Sequence, residues 1–314
     1  MERGASLKRL RAAAIAARAG RLARRGALAA LALLLLAVSG CATLDTKQRE
    51  WIFRPNKDLV RTPADYGLAF EELWLAIPGG DGASQRVHGW WIPGDPKAPA
   101  LLYLHGSRWN IGNNLFRIAR LQRMGYSVLA IDYRGFGRSD GDLPSETQAY
   151  EDAQAGWTEL VRRVPDASRR VIYGHSLGGA VGIELALRHP EAAALVAEST
   201  FTSIRAMVDQ SQYGFLPLGV VLTQHFDSIA KVPKLRVPVM FVHGAADRWV
   251  PSVMSGQLYA AAPEPKRLML VEGASHSNVT AVAFDDLQRA LGEFLAGAAT
   301  RLSLGREFAT PALP

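Results

Sequence analysis

The sequence predicts an α/β protein built on a mainly parallel sheet of eight strands, with helices on both faces of the sheet and a small lid insertion. Short apolar runs recur between residues 69 and 271, and stretches of helical periodicity separate several of them. Such alternation implies parallel strands joined by covering helices. A chain of 314 residues is long enough to bury a large core in one such domain.

The predicted elements follow in chain order. Two opening strands are joined by a glycine-rich turn at residues 79–82. The predicted strands are residues 69–77, 86–92, 100–104, 127–131, 171–173, 194–197, 237–242 and 267–271. The clearest predicted helices are residues 146–164, 179–188 and 279–296.

One interval is too long for an ordinary connection. Residues 199–236 separate two predicted strands and include large apolar side chains such as Phe201, Met207 and Phe215. Long insertions inside compact domains are commonly lids or binding loops. An extra packed helix pair is an equally good interpretation, and one insertion can serve as both.

The residues Gly174-His175-Ser176-Leu177-Gly178 lie where an apolar run gives way to a helical pattern. Gly-x-Ser-x-Gly at such a junction is the pattern of a nucleophile elbow, in which the serine occupies a strained turn. Side chains two positions away would collide with the crossing helix and strand, which explains the glycines. We therefore predict Ser176 as a catalytic nucleophile. An ordinary glycine-rich turn is the alternative.

A serine hydroxyl is a poor nucleophile and needs a base that a carboxylate orients. In folds with this elbow the chain order is serine, acid and histidine, each after a strand. Asp247 and His276 each follow a predicted strand, so both are expected at the sheet edge that holds Ser176. Glu198, which also ends a strand, is the rival acid, although we favour Asp247.

The loop after the third predicted strand is expected to complete the site. A tetrahedral oxyanion needs two N–H donors, one after the nucleophile and one from this loop. We assign these donors to the main-chain N–H groups of Ser107 and Leu177, with His105 as a brace for the loop. Arg108 and Trp109 either contact the substrate or form an exposed flank.

Together these motifs resemble the α/β-hydrolase superfamily, especially its small-lid serine hydrolases related to monoacylglycerol lipases and α/β-hydrolase-domain thioesterases. The resemblance spans about residues 68–297 and implies a Ser-His-Asp acyl-enzyme mechanism. It also implies a carboxylic ester or thioester substrate of acyl or lipid-like character. The matching stretches are residues 104–106, 132–139, 174–179, 198–203, 242–247 and 273–276.

No metal or cofactor is expected. No group of His, Cys and Asp has metal-ligand spacing. The glycines at residues 135 and 137 lack the third glycine and the lysine of phosphate-binding loops.

The net charge of +7 is concentrated at the start of the chain. Residues 1–40 hold eight Lys and Arg side chains against one Glu, whereas the other 274 residues carry 28 basic and 28 acidic side chains. A neutral body argues against a nucleic-acid partner.

The basic segment precedes an apolar run at residues 27–38, which is the layout of a secretory signal. This run is shorter than the ~20 residues that span a bilayer. The sole cysteine ends Val38-Ser39-Gly40-Cys41, which resembles the lipobox of bacterial lipoproteins. We therefore expect lipidation of Cys41 and contact with a membrane through this anchor. A lone buried cysteine and an uncleaved anchor are the alternatives.

The predicted organisation is a signal peptide at residues 1–40, a tether at 41–56, an α/β-hydrolase domain at 57–300 with its lid at about 199–236, and a tail at 301–314. By the same resemblance, Ala42 after the cysteine indicates the periplasmic face of the outer membrane in a bacterial cell envelope.

Two other functions stay open. One is a serine peptidase that releases N-terminal residues. It needs acidic groups to hold a substrate amine, and the insertion offers only Asp209 and Asp227. The other is a non-catalytic lipoprotein scaffold, which predicts a broken triad.

Overall fold

A computed structural model describes Arg24 and residues 39–77, 84–212, 214–215 and 218–307. It separates into two units, Met1–Lys47 and Gln48–Pro314. In the first unit, Cys41 is an exposed free cysteine in a helical stretch. The expected signal peptide lies almost wholly outside the described residues, as does the turn predicted at 79–82. Among the helices that the structure describes, none has the length and apolar character needed to cross a bilayer.

The second unit contains an eight-stranded sheet with the order β1-β2-β4-β3-β5-β6-β7-β8. β2 runs antiparallel to β1 and to β4, and all other neighbours are parallel. The strands are β1 Glu71–Ile77, β2 Gln85–Ile92, β3 Ala100–Leu104, β4 Ser127–Ile131, β5 Arg170–His175, β6 Ala194–Glu198, β7 Val239–Gly244 and β8 Lys266–Val271. The predicted mainly parallel eight-stranded sheet is confirmed.

Helices cover both faces of this sheet. They are α1 Leu115–Arg123, α2 Glu146–Arg163, α3 Leu177–Arg188, α4 Ile204–Asp209, α5 Ser228–Lys231, α6 Val253–Ala261, α7 Val279–Val282 and α8 Phe284–Glu307. A further helical segment, residues 48–53, opens the second unit.

The buried core has two parts, one on each face of the sheet. Successive residues of β3 alternate between them: Leu102 and Leu104 belong to the cluster beneath α2 and α3, and Leu101 and Tyr103 to the cluster beneath α1 and α8. Every residue of the five central strands is buried, because helices exclude water from both faces.

The structure differs from the sequence prediction at the C-terminal helix. The stretch predicted as one helix at residues 279–296 is divided into α7 and α8. Ala283 separates them with φ −128° and ψ 49°, outside the helical region. Asp285 and Asp286 then occupy the first turn of α8, where a carboxylate stabilises the N-terminal end of a helix.

The insertion at residues 199–236 holds α4, α5 and two short 3₁₀ turns. Ser203 begins α4 by accepting a hydrogen bond from the Ala206 N–H at 3.0 Å, and Asp227 begins α5 in the same way. Three of its residues, Phe201, Ile204 and Met207, line a cavity that also contains Ser176.

Candidate active site

Ser176 lies between β5 and α3 in a backbone conformation that L-residues rarely adopt. Its φ of 55° and ψ of −119° fall outside the broadly allowed regions. Three hydrogen bonds hold this turn: the Ser176 N–H donates to Glu198 O at 2.8 Å, and Ser176 O accepts from Gly179 N–H and Thr200 Oγ1 at 2.9 Å. Strain that the surroundings enforce in this way is typical of functional residues.

The two glycines around Ser176 allow the close crossing of strand and helix. A Cβ added at Gly174 would lie 2.1 Å from Gly178 O, and a Cβ added at Gly178 would lie 2.0 Å from Leu104 O. Both distances are far below van der Waals contact with rigid backbone. These are the collisions expected from the Gly-x-Ser-x-Gly pattern.

His276 follows β8 and is hydrogen-bonded to Asp247, which follows β7. The distance from His276 Nδ1 to Asp247 Oδ2 is 2.7 Å. Because an ionised carboxylate only accepts, Nδ1 carries the proton and Nε2 is left as an acceptor. This is the tautomer that a general base needs.

Asp247 receives four hydrogen bonds. Its Oδ1 accepts from the main-chain N–H groups of Trp249 and Val250, at 2.8 and 3.0 Å. Its Oδ2 accepts from His276 and, at 3.1 Å, from His243 Nε2. Burial alone would raise the pKa of Asp247, but the hydrogen bonds from the two histidines outweigh burial and hold the pKa well below its usual range.

The structure brings the three predicted triad residues to one sheet edge, and Ser176 and His276 line the same cavity. Within the described residues, Ser176 Oγ makes no hydrogen bond, so the serine–histidine link of the triad is open. In enzymes this link is often long or poorly aligned until a substrate binds. The acid–base half of the arrangement is already formed.

The two predicted oxyanion donors also line this cavity. Among the described residues, the main-chain N–H groups of Ser107 and Leu177 donate to no protein acceptor. The next N–H in the loop, that of Arg108, is not available, because it donates a hydrogen bond to Phe53 O at 2.8 Å. Leu177 opens α3, so its N–H lies at the positive end of the helix dipole.

Glu198, the rival acid, serves another purpose. Its carboxylate accepts from Arg117 Nε at 3.1 Å through both oxygens and from Tyr173 Oη at 2.5 Å. The carboxylate is fully buried and makes no hydrogen bond to His276 within the described residues. Arg117 also donates to Ser277 O at 3.1 Å, so this ion pair supports the loop that carries His276.

Two further histidines, His175 and His105, make hydrogen bonds that support the site, and His175 also lines the cavity. His175 Nε2 donates to the main-chain oxygen of His276 at 3.0 Å, and burial, then the charge of Arg117, lowers its pKa far below the ordinary value. His105 is fully buried behind the oxyanion loop, with its Nδ1 2.7 Å from Gly106 O, and burial lowers its pKa. Both imidazoles are therefore neutral braces.

The cavity above Ser176 has a volume of about 630 Å³. Its wall is mostly apolar, and within the described residues it contains no Asp or Glu side chain. Large aromatic side chains at its mouth are exposed: Trp51 by 63%, Trp109 by 53% and Trp249 by 65%. Arg108 stacks on the Trp249 ring, with its guanidinium carbon 4.7 Å from the ring centroid.

Part of this wall lies in the segment that the sequence predicts as a tether, residues 41–56. Trp51, Ile52 and Arg54 of this segment line the cavity. The signal was present in Trp51-Ile52-Phe53, an apolar run that a solvated tether does not need. No cluster of three or more His, Cys, Asp or Glu side chains suited to a metal ion occurs in the described part of the chain.

Comparison with known proteins gives one family model and many relatives. Residues 95–226 match the family model described as "Serine aminopeptidase, S33". Among solved structures, the Pyrococcus furiosus esterase Pf2001 superimposes with a TM-score of 0.61 at 22% identity, over 77% of this chain and 98% of that chain. At this identity the likeness shows the fold alone.

Sequence relatives extend over most of the chain. An uncharacterised Mycobacterium tuberculosis protein, MT2364, is 34% identical over 262 residues, which are 82% of this chain and 90% of the relative. The α/β-hydrolase domain-containing protein WAV2 of Arabidopsis thaliana is 32% identical over 249 residues, or 72% of this chain and 79% of the relative. With the elbow, the strand order and these relatives in agreement, the chain belongs to the α/β-hydrolase superfamily and is a hydrolase.

Proposed function

We propose that this protein hydrolyses carboxylic ester or thioester bonds of acyl, lipid-like substrates through an acyl-enzyme on Ser176. The observation that carries the proposal is the convergence, in one cavity, of a strained serine, a histidine bonded to a carboxylate, and two unused main-chain N–H groups. These are the components of nucleophilic acyl transfer.

The proposed reaction has two steps. Ser176 Oγ attacks the substrate carbonyl while His276 Nε2 takes its proton, and Asp247 stabilises the resulting imidazolium. The N–H groups of Ser107 and Leu177 hold the oxyanion, and His276 returns the proton to the leaving alcohol or thiol. Water, activated by His276, then attacks the acyl-enzyme and releases the acid.

The cavity wall supports an acyl substrate. Phe201, Ile204 and Met207 from the insertion and Ile52 from the N-terminal segment offer apolar surface beside Ser176. Each methylene of an acyl chain that is buried on such a surface contributes about 0.8 kcal/mol to the free energy of binding.

A peptidase is the second candidate, because the matched family model is described as a serine aminopeptidase. Such an enzyme needs a carboxylate to hold the substrate ammonium. Asp209 instead pairs with Arg205, with 3.7 Å between Asp209 Oδ2 and Arg205 Nε. Asp227 caps the start of α5, where its Oδ1 accepts a hydrogen bond from the Ala230 N–H. Neither side chain lines the cavity, so the charge of the wall favours the ester hydrolase.

The test is a substrate panel for the purified protein: 4-nitrophenyl esters of graded acyl length, acyl thioesters, and aminoacyl 4-nitroanilides. We expect turnover of esters or thioesters and little turnover of anilides. The Ser176→Ala variant lacks the proposed nucleophile and measures background hydrolysis. Ser275→Ala serves as the matched control, because this exposed hydroxyl lies beside His276 and makes no described side-chain hydrogen bond. Faster cleavage of anilides, or full activity in Ser176→Ala, would contradict the proposal.

We also propose that the protein is anchored at the periplasmic face of the outer membrane through a lipid on Cys41. The exposed thiol and the lipobox-like sequence before it support this proposal. In cell fractionation, Cys41→Ser is expected to move from the membrane to the soluble or unprocessed fraction. Unchanged fractionation would exclude an anchor at this residue.

A further inference from the structure

Two arginines at the mouth of the cavity have no carboxylate partner among the described residues. Arg54 Nε donates to Trp51 O at 3.1 Å, and Arg108 stacks on Trp249. Both side chains line the cavity that contains Ser176 and His276. Arg117, the third arginine of the wall, differs because Glu198 neutralises it.

The positive charges of Arg54 and Arg108 repel each other. Partial burial lowers the pKa of Arg108, and the neighbouring positive charge of Arg54 lowers it further. Since the described wall contains no acidic side chain, nothing in the cavity offsets these two charges. A cleft with charges of one sign attracts ligands of the opposite sign.

The backbone holds both arginines in conformations that usually favour glycine. The φ angle is 47° at Arg54 and 74° at Arg108. The two positions are connected, because the Arg108 N–H donates to the carbonyl of Phe53, the residue before Arg54. Of the five described non-glycine residues with positive φ, three line this cavity, namely these two arginines and Ser176. Such strain clusters at active sites and ligand clamps.

We propose that Arg54 and Arg108 together bind an oxyanion, carboxylate or phosphate, that the substrate carries, so that the physiological substrate is an anionic acyl ester or thioester. This inference rests on the proposed function and specifies its substrate class. Arginine suits the task because its planar donors match both carboxylate and phosphate.

Two pairs of chromogenic esters test the proposed anion clamp, which consists of Arg54 and Arg108. In the first pair the charge lies on the acyl chain: the 4-nitrophenyl monoester of suberic acid and its neutral ω-carboxamide. In the second pair the charge lies on the leaving group: 3-octanoyloxy-4-nitrobenzoate and its neutral benzamide. We expect a higher kcat/KM for the anionic member of at least one pair, and we expect this preference to shrink as salt screens the charges.

Arg54→Gln and Arg108→Gln remove the charges while keeping a side chain with the same Cβ at each strained position. Each substitution is expected to lower the anionic-to-neutral ratio of kcat/KM by about tenfold, as for the loss of one charge-assisted hydrogen bond. The lysine variants are expected to retain part of the preference. Arg236→Gln is the matched control, because this exposed arginine lies outside the cavity and makes no described ion pair.

The outcomes separate this inference from the proposed function. Equal rates on both members of both pairs, or a preference that survives the double Gln variant, would overturn the clamp and leave the ester hydrolase intact. If no ester is cleaved at all, the proposed function fails. The clamp is then decided by calorimetry with suberic acid monoamide and the neutral diamide. Tighter binding of the anion that Arg54→Gln and Arg108→Gln weaken would sustain it, and equal binding would overturn it.

Discussion

The floor of the cavity and its mouth are built in different ways. On the floor, the residues that would do the chemistry follow strands of the sheet and are held by many hydrogen bonds: Asp247 accepts four hydrogen bonds, and the Ser176 turn is held by three. At the mouth, three tryptophans are more than half exposed, and two arginines lack carboxylate partners.

The difference indicates a division of roles. The sheet positions the reacting groups, because the carboxyl ends of its parallel strands meet at one edge. The segments that form the mouth are residues 48–54, the loop after β3, the insertion and the loop after β7 that carries Trp249, and none of these belongs to a strand. Changes on the floor are therefore expected to affect turnover most, and changes at the mouth to affect the choice of substrate.

The largest effect is expected at the base. His276→Ala removes the proton acceptor, and kcat is expected to fall roughly 10⁴- to 10⁶-fold, as when a triad residue is lost in serine hydrolases. His225→Ala is the control, because this exposed histidine of the insertion lies outside the cavity. Ester turnover by His276→Ala near the wild-type rate would remove the distinction between floor and mouth.

A smaller loss is expected at the acid. Asp247→Asn keeps the shape of the side chain but no longer fixes the His276 tautomer, so kcat is expected to fall roughly 10³- to 10⁴-fold. The pKa of Asp247 lies well below its usual range, so the wild-type carboxylate is already ionised at neutral pH and above. The amide of the variant cannot ionise at any accessible pH, so raising the pH is expected not to restore full turnover. A pH–rate profile that shows full recovery at alkaline pH would assign another role to Asp247.

The next effect concerns stability. Glu198→Gln leaves the buried Arg117 without a counter-charge, and the free energy of unfolding is expected to fall by about 3 kcal/mol. The comparison is Glu293→Gln, whose ion pair with Arg267 is more than half exposed on the glutamate side. There the expected loss is under about 1 kcal/mol. Equal urea midpoints for the two variants would show that the ion pair beneath the His276 loop is not important for stability.

The smallest effect is expected at the mouth. Met207→Ala shortens the apolar wall, and kcat/KM for long acyl esters is expected to fall about fivefold with little change for acetate, because about one buried methylene's worth of contact is lost. Val208→Ala is the control on the same helix, since Val208 packs on the core and does not line the cavity. An equal loss for both ester lengths would indicate a structural effect instead.

Much of the floor could be predicted from local patterns. The Gly-x-Ser-x-Gly motif requires its crossing geometry wherever it follows a strand, and Asp247 and His276 follow strands in the order this fold demands. Local patterns alone do not decide between Asp247 and Glu198, because Glu198 ends β6 and Asp247 follows the neighbouring strand β7. The choice depends on Arg117, which is 81 residues from Glu198 in the chain, and no local pattern reveals that pairing.

The mouth was harder to predict for a related reason. Arg54 and Trp51 belong to a segment with no strand or helix signal that ties it to the site, and only long-range packing brings it there. Phe53 is fully buried, and its ring meets that of Phe226 in the insertion at a centroid distance of 5.9 Å. Contacts between segments so distant in sequence leave no periodicity to read.

The hydrogen bond from Arg108 N–H to Phe53 O has a practical consequence. A recombinant protein trimmed to start at β1 would lose this acceptor, and the loop that presents the Ser107 N–H would be free to shift. Such a minimal catalytic core would keep its nucleophile and base yet work with a misaligned oxyanion donor. Boundaries for expression and for domain transplantation therefore belong before residue 48.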